Sequence, residues 1–179
     1  MKGRVANIPG VLRFQLDFYQ DNRGGLAETF SVNSYRNAGI PEAFMQDMYS
    51  HSRRHVLRGL HYQKTRPQGH LVTVVSGRIF DVGVDLRPSS SSFGQYFSSV
   101  LDGEKLDQVY LPPGIAHGFC VLSNSAQIFY KCTEFYFPGD EGGLLWNDPD
   151  LGIKWPIFVR IHENRPKRRE RNKRFNFIL

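Results

Sequence analysis

Short apolar and aromatic runs, each closed by Gly, Pro, Ser or Asn-Asp turns, recur along nearly the whole chain, and few architectures accept that rhythm. The runs fall at 11–18, 26–32, 43–50, 56–63, 70–76, 78–86, 94–101, 107–111, 117–123, 126–136 and 144–147. Strand-length segments with turn signals at regular intervals predict an all-β antiparallel sandwich or barrel. A short helix is expected near Val32 to Ala38, and another in the C-terminal tail. No linker or internal repeat divides the chain, so 1–179 reads as a single domain, long enough to bury a real core.

Composition removes several classes. With 40% hydrophobic and 13% aromatic residues the chain is not a disordered one. No apolar stretch approaches the roughly 20 residues that span a bilayer, and Met1 to Asn7 lacks the apolar centre of a secretory signal. Cys120 and Cys132 both fall in strand-like segments, which reads as two buried reduced thiols, so a cytoplasmic location is expected. The net charge of +6 belongs to one segment, because residues 160–174 carry eight basic side chains against Glu163 and Glu170. Without aromatic interleaving or a reading motif, this is a solvated basic tail rather than a nucleic-acid face. The serines from Ser89 to Ser92 read as a loop.

Two segments concentrate chemistry. Arg58-Gly59-Leu60-His61-Tyr62-Gln63 puts a histidine beside an arginine in a strand-like run, and Pro112-Pro113-Gly114-Ile115-Ala116-His117-Gly118-Phe119 puts another on a turn entering a strand. Imidazole is a usable base near neutral pH, and guanidinium can hold an anion bidentately. Strand parity points Arg58 and His61 apart, but Gly59 permits a bulge that would re-aim one of them into a shared cavity. Parity also puts Ile79, Asp81, Gly83 and Asp85 on one face, implying a wet or functional interior, with Phe80, Val82, Val84 and Leu86 as core opposite. Further on, Ile128, Tyr130, Cys132 and Glu134 share a face, from which Tyr130 could donate a proton. The six histidines are His51, His55, His61, His70, His117 and His162; they include no close His-x-His pair, so no metal is expected. P-loop, dinucleotide and nucleophile-elbow motifs are absent as well.

In order and spacing, a longer series resembles the dTDP-4-dehydrorhamnose 3,5-epimerase family from about residue 8 to Pro156. The series is Asp21-x-Arg23-Gly24 with Glu28, Gln46-Asp47, Val56 through Gln63, Phe80-Asp81-Val82-x-Val84-Asp85-Leu86-Arg87, Phe93-Gly94-Gln95, Pro112-x-Gly114-x-Ala116-His117-Gly118-Phe119, Tyr130-Lys131-x-Thr133 and Trp146 through Pro156. The resemblance implies a cupin jelly-roll barrel with short flanking helices, in a homodimer whose N-terminal segment reaches the partner's site. It implies epimerisation, without cofactor, of a nucleoside-diphosphate 4-keto-6-deoxyhexose at C3, C5 or both. A base removes the proton that the C4 ketone acidifies, and the enolate regains one from the opposite face. His61 matches the base and Tyr130 the acid. Arg58 and His117 match groups around the sugar and diphosphate. Arg23, Glu28, Gln46 and Glu141 match nucleotide contacts, and Tyr136 matches the aromatic that stacks on the base.

The chain departs from that pattern in places. Met48 follows Gln46-Asp47 where an asparagine is common, His70 stands where a pocket lysine is common and is counted with the substrate-binding residues, and an aromatic is replaced in Gly25-Leu26-Ala27. Beyond Pro156 the family segment that supplies an acid for the catalytic histidine is unrecognisable, leaving 157–179 a divergent basic tail and Asp81 or Asp85 as the acids to orient His61. Three alternatives stay open: 3-epimerisation of a related 4-keto sugar, a non-catalytic sugar-nucleotide-binding cupin, and a metal-dependent cupin. No nucleic-acid or membrane partner is expected.

Overall fold

The structure is a computed structural model that describes residues 2–156 and 161–162. In chain order its elements are β1 (Lys2–Val5), β2 (Leu12–Gln15), β3 (Tyr19–Asp21), β4 (Gly24–Leu26), α1 (Val32–Asn37), β5 (Gln46–Arg53), β6 (Val56–Gln63), β7 (His70–Ser76), β8 (Arg78–Asp85) and β9 (Tyr96–Asp102). They continue through β10 (Gln108–Leu111), β11 (Ile115–Val121), β12 (Ser125–Cys132), β13 (Glu141–Gly143) and β14 (Ile161–His162). One sheet runs β1-β2-β10-β7-β12-β5 and the other β13-β6-β11-β8-β9, with β14 parallel to β6 and β3–β4 a separate hairpin. From β5 to β12 the chain crosses between the sheets at nearly every step, which is the winding of a jelly-roll barrel. The expected all-β barrel is the fold found.

Inward positions change character along the strands. On β12, Ala126 and Ile128 join the inter-sheet core, Tyr130 packs at its edge, and Cys132 reaches a cavity. On β7, Val74 and Val72 belong to that core, and His70 lines the same cavity. One half of the barrel is therefore closed by apolar side chains, and the other is left open and polar.

The outer faces are covered too. Against the first sheet, α1 and its flanks bury Tyr35 and Ile40 over Phe14, Leu71 and Tyr110. The Tyr35 hydroxyl donates to Gln108 Oε1, with the Thr29 carbonyl oxygen 3.0 Å away, and the Tyr110 hydroxyl donates to Glu42. Against the second sheet, Leu144, Leu151 and Trp155 cover Val82, Val84 and Leu86. The parity expected for β8 holds, but both faces are buried: the apolar face packs on the outside of the barrel, while Ile79, Asp81 and Asp85 take the buried opposite face.

Several boundaries differ from expectation. The run at 26–32 is not a strand, because Gly24 and Gly25 close the β3–β4 hairpin before it. The run at 126–136 ends at Cys132, after which the Tyr136 backbone N–H donates to Gln46 Oε1 instead of a strand neighbour. A strand at Glu141–Gly143 replaces the one expected at 144–147, since Leu144 is used in the outer core. The tail helix and, apart from the Ile161–His162 strand, the basic tail lie outside the described residues.

Candidate active site

Glycine sets the geometry of β6. Arg58 pairs with Phe119 and His61 with His117, so β6 carries one residue more than β11 between those pairs. Gly59 holds φ at +120°, and a Cβ there would meet the Gly118 Cα at 2.4 Å and the His117 carbonyl oxygen at 2.7 Å. This is the bulge the sequence allowed, and it turns both Arg58 and His61 to the wall of one cavity. Strand β11 brings His117 and Phe119 to that wall, β12 brings Tyr130 and Cys132, and β7 brings His70. Met48, Gln68, Tyr136 and Glu141 line it as well. Its volume is about 200 Å³, below the roughly 300–1,000 Å³ of whole ligand pockets, so it takes only part of an extended ligand.

Hydrogen bonding fixes most of the wall. Arg58 donates through Nε to Ser52 Oγ at 2.9 Å. His117 Nε2 lies 2.8 Å from Asp81 Oδ2, and the Asp81 side chain is wholly buried. Because a carboxylate only accepts, His117 carries a proton on Nε2. The His70 ring stands 5.4 Å from that of His117 and 5.7 Å from that of Tyr130. Burial, and then the nearness of His117, lowers the His70 pKa to about 3, so this imidazole is neutral at physiological pH. Burial pushes the Cys132 thiol up to about 12, with Asp47 adding to the rise, so it is no nucleophile despite its place at the cavity. Cys120, likewise free and buried, is raised to about 11.

The acids are distributed differently from expectation. Neither Asp81 nor Asp85 is set against His61. Asp81 is committed to His117. Asp85 receives Arg87, Ser90 and Ser92; burial pushes its carboxyl up, but these hydrogen bonds together outweigh that and hold it well below the usual carboxylate range. Among the described residues the carboxylate beside His61 is Glu141, with Oε1 4.0 Å from Nδ1 and Oε2 3.3 Å from the Tyr136 hydroxyl. Sequence reasoning missed this neighbour because β13 reaches β6 from far along the chain, pairing Gly143 with His61. Cys132 was findable, since it shares the Tyr130 face.

Other expected contacts fall outside the cavity. Gln46 supports the Tyr136 backbone and does not line the wall. Arg23 is exposed and clamps Asp21, and Glu28 is exposed beside Ser34, so neither reaches the cavity of its own chain. Among the described residues no group of three His, Cys, Asp or Glu is disposed to hold a metal ion.

Comparison with known proteins adds chemistry to this geometry. The family model described as dTDP-4-dehydrorhamnose 3,5-epimerase matches residues 5–174. A dTDP-4-dehydrorhamnose 3,5-epimerase of Pseudomonas aeruginosa is 44% identical over 158 residues, covering 88% of this chain and 87% of the relative. The crystal structure of a Legionella pneumophila dTDP-6-deoxy-D-glucose-3,5-epimerase in complex with dTDP-4-keto-L-rhamnose superposes with a TM-score of 0.88 at 40% identity, over 91% of this chain and 88% of that one. A 3'-monoepimerase from Streptomyces bikiniensis in complex with dTDP-quinovose superposes with a TM-score of 0.80 at 32% identity, over 87% and 79% of the two chains.

Proposed function

Because the chain belongs to the dTDP-4-dehydrorhamnose 3,5-epimerase family, we propose that the open half of its barrel is where a dTDP-4-keto-6-deoxy sugar loses and regains a proton. The protein is an isomerase, a carbohydrate epimerase acting on sugars of this class. One observation carries the assignment of residues: His61 and Tyr130 stand on the wall of one cavity, contributed by different sheets. In this reading His61 takes the proton made acidic by the C4 ketone, the electrons move to the ketone oxygen, and Tyr130 returns a proton from the other face.

Arg58 and His117 are the groups we assign to the sugar and diphosphate. Glu141 and Tyr136, which line the same cavity within hydrogen-bonding reach of each other, suit the nucleoside. Glu141 is also placed to steady the His61 ring. Arg23 and Glu28 lie away from their own cavity, and this supports a homodimer in which the N-terminal hairpin serves the partner's site. The two free thiols support a cytoplasmic location.

The experiment is proton NMR of dTDP-4-keto-6-deoxyglucose with enzyme in deuterated water. Exchange at both C3 and C5 with inversion at both is the expected result. Exchange at C3 alone would make the protein a 3-epimerase. Binding with no exchange would reduce it to a sugar-nucleotide-binding cupin.

A further inference from the structure

His70 opens β7 in the polar half of the barrel, and its Nδ1 is buried with no hydrogen-bond partner. Among the described residues the other buried side-chain atom in that condition is Asp81 Oδ1, on the carboxylate that holds His117. A buried polar atom left unpaired costs roughly 1–3 kcal/mol, and an N–H left without an acceptor is a steep case of that cost. Neutral imidazole carries one N–H, on either nitrogen. Placing it on the enclosed Nδ1 would bury a donor with nothing to accept it, so the proton belongs on Nε2. The ring lines the cavity, which leaves Nε2–H as the hydrogen-bonding edge available to a bound molecule.

We propose that His70 is a permanently neutral donor, held as the Nε2–H tautomer, whose single N–H bonds the oxygen of the substrate's ketone. The choice of oxygen rests on the epimerase reading above; the tautomer does not. That oxygen sits on the carbon between the two exchangeable positions, and the His70 ring lies against Tyr130, the group assigned to one of them. As the proton leaves carbon, negative charge collects on the oxygen, and a donor already aimed there stabilises it without rearranging.

The surroundings keep the donor neutral. His117 faces it from β11 with Asp81 behind, Tyr130 and Cys132 from β12, and Arg58 and His61 from β6; β10 contributes apolar Leu111 at the paired position. Three of these neighbours, Arg58, His61 and His117, are basic or cationic, and burial disfavours a further charge, in keeping with the depressed pKa of His70. A neutral donor also leaves His61 its basicity, which a second fixed cation nearby would reduce.

Two measurements test this. The first is nitrogen NMR of wild-type protein labelled at the histidine ring nitrogens, from pH 5 to pH 9, with the signal assigned by its loss in His70→Gln. His70 should show the Nε2–H tautomer throughout; an Nδ1–H tautomer, or protonation within that range, overturns the proposal. The second compares solvent exchange of the 4-keto substrate in His70→Gln, which retains an N–H, and His70→Phe, which retains the bulk. The phenylalanine variant should lose about 10²–10³-fold in rate with KM little changed, as for a lost oxyanion donor, and glutamine should recover most of it. Equal losses in both, or none in phenylalanine, defeat the contact. If wild-type protein catalyses no exchange, the epimerase reading falls and takes the oxygen contact with it, while the nitrogen spectrum still judges the tautomer separately.

Discussion

At His61 the consequence of substitution is direct. His61→Ala should lower exchange of substrate carbon-bound hydrogen by about 10²–10⁴-fold, the usual contribution of a positioned base. Near-normal exchange in deuterated water would remove His61 from that role. Tyr130→Phe should spare proton removal and impair net inversion, seen as exchange that outlasts product formation. Asp85 is a residue of stability and not of chemistry. Its folded-state pKa is depressed, so its contribution is present above the ordinary carboxylate value near 3.9 and is lost as pH falls below that toward the depressed value. Asp85→Asn should therefore cost about 2–3 kcal/mol at pH 6, with the gap to wild type closing on acidification; chemical denaturation at several pH values reads it. The serine run that looked like a bare loop supplies two of the hydroxyls bonded to this carboxylate.

Strands decide which of these residues meet. The bulge at Gly59 brings Arg58 and His61 to one cavity, and its glycine is needed for two reasons: a positive φ, and the approach of the β11 backbone. Gly59→Ala is expected to cost at least the roughly 1–3 kcal/mol of a forced backbone conformation, and to lower activity further by misplacing His61. A thermal melt beside an exchange assay checks both; a variant with unchanged melting would show the close approach to be less demanding than the geometry says. Period-two patterning located β6 and β7 in the sequence at their observed bounds, because half-buried or buried strands bounded by turns leave a plain signal. The β3–β4 hairpin and β13 were not legible, since three-residue strands carry too little pattern to register.

Across the whole molecule the jelly-roll winding places β7 and β12 opposite β6 and β11, so His61, the proposed base, on one sheet and Tyr130, the proposed acid, on the other share one space. The proposed homodimer makes a separable prediction. If Arg23 serves the partner's cavity, Arg23→Ala and His61→Ala proteins should each be poor, and a hybrid of the two should recover activity, because one of its sites then draws intact residues from both chains. Mixing after partial unfolding and refolding, followed by the exchange assay, measures it; hybrids no better than their parents would place Arg23 outside the site.

From the sequence by itself came the all-β class, the strands that carry His61, His117 and Tyr130, and the parity of β8 and β12, all of them consequences of local periodicity. Which acid sits on which histidine came from the tertiary structure. Asp81 and Asp85 share a strand face, yet cross-strand pairing gives one to His117 and a following turn gives the other to Arg87. Glu141 arrives beside His61 through a pairing between segments remote in the chain. Such partnerships depend on register between strands and on burial, and neither is encoded in the order of neighbouring residues.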